Sequence, residues 1–299
     1  MKSVLTQYEA YLLTQKRAAP NTCDAYKRDL EQAAYFLKEH EKDFENATHA
    51  DLKLFLHQLV NLQLSARSRS RKLSSLKAFY AWAYEILGWE NITTDLVFPK
   101  LEKRLPQYLT EQEIELLFET AQKDSSILGI RNHLMLCLLY VSGVRITEMI
   151  KLKIADIQFD SGFIKISGKG GRERLVPLPQ GVFSLLRTYL DTTHKKLISL
   201  KNENIEYLFP IVYSGKVKPI SRQSFWMILK QLCNQANIKR PVSPHTLRHS
   251  LATHLLKKGV NLRLLQMLLG HESIATVQIY THIETDHLRK IYDEKHPRA

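Results

Sequence analysis

The chain of 299 residues is poor in the residues that mark several classes of protein. Its 11 glycines and 10 prolines are too few for a fibrous or largely disordered chain. The three cysteines, Cys23, Cys137 and Cys233, are widely spaced and include no C-x-x-C pair, which argues against a disulfide framework or zinc ribbon and fits a reducing cytoplasm. The longest apolar run is about eight residues, whereas a membrane-spanning helix needs about 20, and we predict no signal peptide.

Acidic residues are also scarce, since 30 Asp and Glu face 43 Lys and Arg and leave a formal net charge of +13. The excess is uneven: residues 1–105 hold 16 basic against 13 acidic side chains, and residues 106–299 hold 27 against 17. A surplus of this size predicts a polyanionic partner. Without a membrane segment, nucleic acid is the favoured polyanion.

The chain divides into two predicted domains joined by a linker. Residues 1–98 show helical spacing of apolar side chains and no strand alternation, which predicts a helical bundle. Residues 99–110 hold two prolines and a cluster of charges, which are typical of a linker. Residues 111–299 mix helices with a β-hairpin. The predicted fold class is therefore mainly α with a small β-sheet, a helical bundle followed by an α+β domain.

Local signals predict where the elements begin. We expect a helix capped by Asn21 or Thr22 and another capped by Thr48, and Thr110 followed by Glu113 forms a capping-box signature. The stretch "GFIKISGKGGRERLVPLP" alternates apolar and polar residues on both sides of a glycine-rich tip, which predicts a hairpin. In the second domain the expected helices lie near residues 111–122, 127–142 and 146–152, and again from Gln180 onward.

Two short stretches place basic residues where they could meet an anion. In "SGVRITEMIKL", Arg145 stands at a predicted helix start and Glu148 lies one turn further on the same face. Such a pair is usually a surface salt bridge, and the alternative is an arginine oriented by a carboxylate towards an anion. In "SGKGGRER", Lys169 stands between glycines, where a solvated lysine is the ordinary interpretation. No Ser or Thr follows Lys169, so the P-loop spacing is absent and ATP hydrolysis is not supported.

A third stretch, "HTLRHSLATH", places His245 and Arg248 on one face near a helix N-terminus, which favours an anion. His245 and His249 have the i, i+4 spacing of some zinc sites, but the Glu of H-E-x-x-H is absent and no acidic cluster suits magnesium. We therefore predict no metal and no other cofactor. These cations and imidazoles together suit a phosphodiester whose transition state gains negative charge.

A phosphoryl acceptor is still needed, and Tyr280 in "LLGHESIATVQIYTHI" is the candidate. Most of the 13 tyrosines are expected to be packing groups. A phenol ionises at about pH 10, and neighbouring cations lower its pKa because they favour the phenolate. A phosphotyrosine would conserve the energy of the broken bond, so a strand could be rejoined without ATP.

Five stretches of the second domain resemble, in order, the sequence blocks of tyrosine recombinases of the Xer type, in the phage integrase family. The stretches are "SGVRITEMIKLKIADI", "ISGKGGRERLVPLP", "SPHTLRHSLATHLLKKG", "LLGHESIATVQIYTHI" and "HPRA". "PNTCDAYKRDL" and "RSRSRKLSSLKAFYAW" resemble the family's SAM-like core-binding domain, so the likeness covers nearly the whole chain. "ENITTDLVF" lacks the Asn-Pro that relatives often show before the linker. The resemblance implies two domains that close as a C-shaped clamp on double-stranded DNA.

The resemblance also implies roles for the matching residues. Arg145 and Arg248 would bind the non-bridging oxygens of the scissile phosphate, with Glu148 in support. Lys169 would be the general acid that protonates the leaving 5′-hydroxyl. The function implied is a site-specific DNA recombinase that uses neither metal nor ATP.

Three further residues match the nucleophile's side of the reaction. Tyr280 would attack the phosphate and form a 3′-phosphotyrosyl link, and His245 would assist proton transfer at this nucleophile. His271 would donate to a phosphate oxygen. Because all six catalytic positions hold the expected residue type, we expect an active enzyme.

The family's partners are DNA and other recombinase subunits. We expect a tetramer on two DNA sites, formed with itself or with a paralogous recombinase, in which the tail after Tyr280 docks on a neighbouring subunit. The expected task is the resolution of chromosome dimers at a dif-like site during chromosome segregation, with a DNA translocase as a candidate activator. The side chains expected to contact DNA are Arg67, Arg69, Arg71, Lys72, Arg172 and Arg174.

The sequence leaves three other functions open. A type IB topoisomerase would relax DNA with similar residues, although the short tail and the core-binding bundle favour recombination. A phage or transposon integrase often carries an extra N-terminal arm-binding domain, whereas this sequence starts directly in the helical bundle. A DNA-binding module without catalysis is disfavoured by the full catalytic set.

Overall fold

A computed structural model of the chain describes residues 2–100, 108–168, 173–198, 206–214, 216–270 and 294–296. Its two compact units are Met1–Leu105 and Pro106–Ala299. The described residues are mostly helical, with two small antiparallel sheets in the second unit. This confirms the predicted fold class. No helix of these residues is both long enough and apolar enough to span a bilayer.

The first unit is a bundle of four helices, and its described residues include no strand. Thr48 caps the third helix and forms a capping box with Asp51. The second helix begins at Pro20, with Ala19 as its N-cap, so the prediction that Asn21 or Thr22 caps it is wrong. Proline suits the first helical position because its φ is fixed and its missing N–H has no partner there. The helices are α1 Lys2–Thr14, α2 Pro20–Glu39, α3 His49–Asn61 and α4 Ala66–Leu87.

The second unit combines helices with two sheets. One sheet has the order β1-β2-β3 and the other pairs β4 with β5, all antiparallel. The strands are β1 Ile157–Gln158, β2 Phe163–Ser167, β3 Glu173–Pro177, β4 Pro210–Tyr213 and β5 Lys216–Pro219. The helices are α5 Glu111–Gln122, α6 Ile127–Ser142, α7 Ile146–Met149, α8 Gln180–Thr188, α9 Lys195–Ile198, α10 Arg222–Gln235, α11 Pro244–Lys257 and α12 Leu262–Leu269. A short 3-10 turn and a π-helical segment also occur, at Ile154–Asp156 and Tyr189–His194.

The structure confirms the predicted helices α5 and α6 and the hairpin of β2 and β3, and it corrects two other elements. Helix α7 ends at Met149 rather than near residue 152, because the N–H groups of Lys151 and Leu152 donate to carbonyls three residues back instead of four. The hairpin of β4 and β5 falls where only helices were expected. Its strands have four residues each, and prolines occupy its outer ends, a position that sheets tolerate.

Helix α6 lies at the centre of the second unit. Every residue from Leu134 to Ser142 is buried, so α6 is surrounded by apolar neighbours. All three cysteines of the chain are buried, among them Cys137 on this helix. The buried C-terminal half of α6 is held in place by the close packing around it, and the residues that follow it form the candidate site.

Candidate active site

The first candidate arginine, Arg145, lies three residues after the end of α6. Gly143 ends this helix with a φ of +59°, in the left-handed region. A Cβ at Gly143 would lie 2.7 Å from a methyl carbon of Leu269 and 2.8 Å from one of Leu251, so only glycine fits. The chain then turns sharply, and Arg145 becomes the N-cap of α7.

Arg145 and Glu148 bind each other through both backbone and side chain. The backbone N–H of Arg145 donates to Oε2 of Glu148 at 2.9 Å, and its Nη1 donates to Oε1 at 2.9 Å. The Glu148 side chain is 6% exposed, whereas that of Arg145 is 37% exposed. This is not a surface salt bridge, because the carboxylate is buried under an arginine that stays partly open to solvent.

A second arginine, Arg174 of β3, reaches the same carboxylate. Its Nη1 and Nη2 donate to Oε1 and Oε2 of Glu148 at 3.2 Å and 2.8 Å, a bidentate pairing. The expected contact of Arg174 with DNA stays a prediction, which the structure disfavours because its side chain is buried and two of its donors are turned to Glu148. The sequence carried the signal: alternation along β3 puts Arg174 on the same face as the buried Val176.

These contacts determine the charge state of Glu148. Burial alone raises the pKa of this carboxyl, but the hydrogen bonds and positive charges of Arg174 and Arg145 outweigh burial and hold its pKa below the usual value. Glu148 is therefore ionised at neutral pH. An ionised carboxylate can orient both guanidinium groups at once.

A third arginine, Arg248, comes from α11, which begins with the predicted Ser-Pro start. Its buried guanidinium donates to the backbone carbonyls of Gly143 and Leu269. Burial, and then the positive charges of Arg145 and Arg174, lower the pKa of Arg248 to about 10. The group remains charged at neutral pH.

The three arginines converge on the turn at the end of α12. Arg248 holds the carbonyl of Leu269, and Nη2 of Arg145 donates to the carbonyl of Gly270 at 3.2 Å. Gly270 has a φ of +65°, and a Cβ there would lie 3.1 Å from the guanidinium of Arg174. Two guanidinium groups thus bind one carboxylate, and a third lies beside them at a turn that ends one residue before His271. The described part of this cluster has an excess of two positive charges, which favours a bound anion.

Comparison with known proteins identifies the family. Residues 107–287 match the phage integrase family, and residues 5–86 match its N-terminal SAM-like domain. The chain belongs to the phage integrase family. It is a tyrosine recombinase of the Xer type, an enzyme that exchanges DNA strands by site-specific recombination.

Relatives resemble this recombinase over its whole length. The tyrosine recombinase XerD of Staphylococcus aureus (strain Mu50) is 38% identical over 306 aligned residues, which cover 100% of both chains. The XerD of Staphylococcus saprophyticus is 37% identical with the same coverage. A crystal structure of the XerH recombinase bound to a difH substrate, in a pre-cleavage complex, superposes with a TM-score of 0.67 at 26% identity. That alignment covers 96% of this chain and 83% of the XerH chain.

The other candidate residues of the recombinase fall into two groups. His245 lies in the first turn of α11 with its side chain exposed, and His249 is exposed as well. In the part of the chain that the structure describes, no three His, Cys, Asp or Glu side chains come together as a metal site would require. The candidates outside the described residues are Lys169, Arg172, His271 and Tyr280.

The basic run of α4 does not present all its charges to solvent. Lys72 is buried, and its ammonium donates to Oδ1 of Asp29 at 2.9 Å. Its contact with DNA stays a prediction, which this burial disfavours. Arg71 pairs with Oδ2 of Asp29 at 2.5 Å but leaves 46% of its side chain exposed. Arg67 is exposed and Arg69 is half-buried, and their contact with DNA stays a prediction.

Proposed function

We propose that this tyrosine recombinase cuts and rejoins DNA through a covalent bond between Tyr280 and the 3′ phosphate of the cut strand. The phenolate oxygen of Tyr280 attacks phosphorus, the bond to the 5′ oxygen breaks, and the leaving oxygen takes a proton from Lys169. Resealing is the reverse reaction with a new 5′-hydroxyl, so no nucleotide energy is consumed.

The observation that carries this proposal is the cluster of Arg145, Arg174 and Arg248 around one ionised carboxylate. A phosphodiester gains negative charge as the nucleophile attacks, and donors fixed in advance stabilise that charge without reorganising. In this proposal Arg145 and Arg248 bind the non-bridging oxygens, and Glu148 orients Arg145. Neither a metal nor a cofactor takes part.

Two histidines complete the proposed set. His245, exposed at the start of α11 and three residues before Arg248, assists proton transfer at the phenol. His271, the residue after the turn held by the arginines, donates to a phosphate oxygen. Arg172, on the hairpin between β2 and β3, and the open side chains of Arg67, Arg69 and Arg71 contact the DNA backbone.

We further propose that the enzyme resolves chromosome dimers at a dif-like site in the cytoplasm. The support is its full-length similarity to recombinases named XerD and to an XerH structure with difH DNA. The working assembly is a tetramer on two double-stranded DNA sites, in which both units of each subunit clamp the duplex and each C-terminal tail docks on a neighbour. A paralogous recombinase as the second subunit type and a DNA translocase as activator belong to the same proposal.

The test is a suicide-substrate assay on a nicked chromosomal dimer-resolution site. Wild-type enzyme should form a protein–DNA adduct that survives SDS and still forms with a chelator present, and Tyr280→Phe should form none. An adduct in Tyr280→Phe, or loss of activity on chelation, would contradict the mechanism. Relaxation of non-specific plasmid without recombination would instead indicate a topoisomerase.

The role of Lys169 has a separate chemical test. Lys169→Ala should slow cleavage of the ordinary substrate, because the leaving alkoxide then lacks its proton donor. A substrate with a 5′-thiol leaving group should restore the rate, since a thiolate leaves without a general acid. If the thiol substrate is cut no faster by the variant, Lys169 is not the acid.

A further inference from the structure

Arg174 lies at the base of the hairpin that carries the proposed general acid. It pairs with Ile166 in the register of β2 and β3, and only the pair Ser167 and Glu173 separates it from the tip that holds Lys169. Its side chain points inward, away from the face that Glu173 exposes. A group that binds the side chain of Arg174 is therefore held in position relative to the hairpin.

Arg174 binds the carboxylate of Glu148, which orients Arg145. Both oxygens of Glu148 accept a hydrogen bond from Arg174 and another from Arg145. With Arg174 absent, Glu148 would keep only the donors of its own turn and could rotate with Arg145. The bidentate pair removes that freedom, because two parallel hydrogen bonds fix a planar group in orientation as well as in distance.

Arg174 also lies under the turn that leads to His271. The nearest atoms to a Cβ built on Gly270 are Nε, Cζ and Nη1 of Arg174, each at 3.1 Å, so the guanidinium packs closely against this glycine. Hairpin, α7 and the end of α12 come from distant parts of the sequence. The hairpin carries Lys169, α7 follows Arg145, and the end of α12 precedes His271. The side chain of Arg174, which belongs to the hairpin, contacts both other elements.

The guanidinium of Arg174 is turned towards Glu148 and away from solvent. Both Nη atoms donate to Glu148, and Nε is shielded from solvent with no hydrogen-bond partner among the described residues. The side chain as a whole is 8% exposed. If the two Nη donors that bind Glu148 turned to a DNA phosphate instead, the buried carboxylate would lose half of its hydrogen bonds and keep only those from Arg145.

We propose that Arg174 is a positioning residue of the recombination reaction: it fixes Glu148, and through it Arg145, relative to the hairpin and to the turn before His271, without touching DNA. This inference rests on the proposed function, because it assigns Arg174 to the geometry of that site. A misplacement of about 1 Å at a reacting group costs on the order of 100-fold in rate. Arg174 therefore affects the rate of cleavage and not the affinity for DNA.

The experiment compares Arg174→Lys and Arg174→Gln with wild type in single-turnover cleavage of the suicide substrate at saturating DNA. The lysine keeps the charge but loses the bidentate geometry. We expect both variants to lower the cleavage rate constant about 10- to 100-fold while the final amount of adduct stays near that of wild type. Lys165→Gln is the matched control, because it removes a partly exposed cation from the neighbouring strand and leaves Glu148 untouched.

A second measurement separates positioning from DNA contact. Each phosphate contact adds about 0.9 to the slope of log affinity against log salt. We expect the slope and the affinity of Arg174→Lys and of Arg174→Gln to match those of wild type. A slope reduced by about one in Arg174→Gln would show that Arg174 binds DNA directly and would overturn the proposal.

The remaining outcomes are also decisive. A lower amount of adduct at an unchanged rate constant would mean that Arg174 only maintains the fold, as would loss of the folded state in both variants. If Arg174→Gln alone unfolds, Arg174→Lys decides the question. Wild-type rates in Arg174→Lys would overturn the inference and leave the proposed function intact, whereas absence of adduct in the wild type would refute both.

Discussion

Each unit of this recombinase buries one carboxylate between two basic side chains. In the first unit, Asp29 of α2 binds Arg71 and Lys72 of α4 and accepts a hydrogen bond from Ser75 at 2.9 Å. In the second unit, Glu148 binds Arg145 and Arg174. Both clusters pair one carboxylate with two cations. The donors around Asp29 all come from one helix, whereas those around Glu148 come from a loop and a strand.

The difference lies in what the remaining donors do. Around Asp29 the hydrogen bonds that Lys72 and Ser75 donate end within α2 or α4, so the cluster holds these two helices together. Around Glu148 a third guanidinium, Arg248, joins without binding the carboxylate and holds the chain at Leu269. The cluster around Glu148 therefore favours a bound anion more than the cluster around Asp29 does, because it includes a further buried cation, Arg248, that binds only backbone carbonyls.

The largest expected effect comes from breaking the cluster of the first unit. Asp29→Leu leaves the buried ammonium of Lys72 unpaired, which should lower the free energy of unfolding by about 3–5 kcal/mol. Urea unfolding of the full chain measures it. The cleavage rate constant at saturating DNA should not change, in contrast to the Arg174 variants.

A double variant serves as the control for this prediction. Asp29→Leu with Lys72→Met replaces the buried charges by apolar groups of similar volume and should recover most of the lost stability. If Asp29→Leu instead slows cleavage by the folded enzyme, the two clusters do not differ in the way described.

The sequence predicts whatever depends on nearby residues. The capping box of Thr110 and Glu113, helix α6 and the pairing of Arg145 with Glu148 all follow from residues within one or two turns of each other. Lys72 belongs to a basic run that the sequence predicts to contact DNA, although its neighbours Leu73 and Leu76 mark it as the edge of the buried face. Lys72 is buried because Asp29 of α2 lies opposite it and pairs with its ammonium.

Contacts between distant parts of the chain could not be predicted in the same way. The bond from Arg145 to the carbonyl of Gly270 spans 125 residues, and that from Arg248 to Gly143 spans 105. Periodicity fixes the face on which a side chain lies but not the element that faces it. The resemblance to tyrosine recombinases names Arg145 and Arg248, whereas the bridging position of Arg174 emerges only from the packed structure.

A medium effect is expected at the turn held by the arginines. Gly270→Ala forces a Cβ into left-handed backbone, which costs about 1–2 kcal/mol, and places it 3.1 Å from Arg174. Gly88→Ala is a matched control, since Gly88 has a φ of +71° with nothing within 4 Å of its Cβ position. Both should lower stability in thermal unfolding, and only Gly270→Ala should also slow cleavage. Equal cleavage rates would mean that the turn does not need its contact with Arg174.

The smallest effect is a change in the pH dependence of stability, which tests the charge of Glu148. Because its pKa is lowered in the folded state, the unfolded chain binds the proton more readily, and stability rises with pH in this range. The contribution is complete above the unfolded pKa of about 4.3 and is lost as the pH falls through the folded pKa. Its slope is at most about 1.4 kcal/mol per pH unit for one proton.

The measurement is the difference in unfolding free energy between wild type and Glu148→Gln, in which the contributions of the other carboxyls cancel. This difference should shrink from pH 6 to pH 3, roughly the range over which a carboxyl with a lowered pKa titrates. A gap that stays constant over this range would mean that Arg145 and Arg174 do not surround an ionised carboxylate.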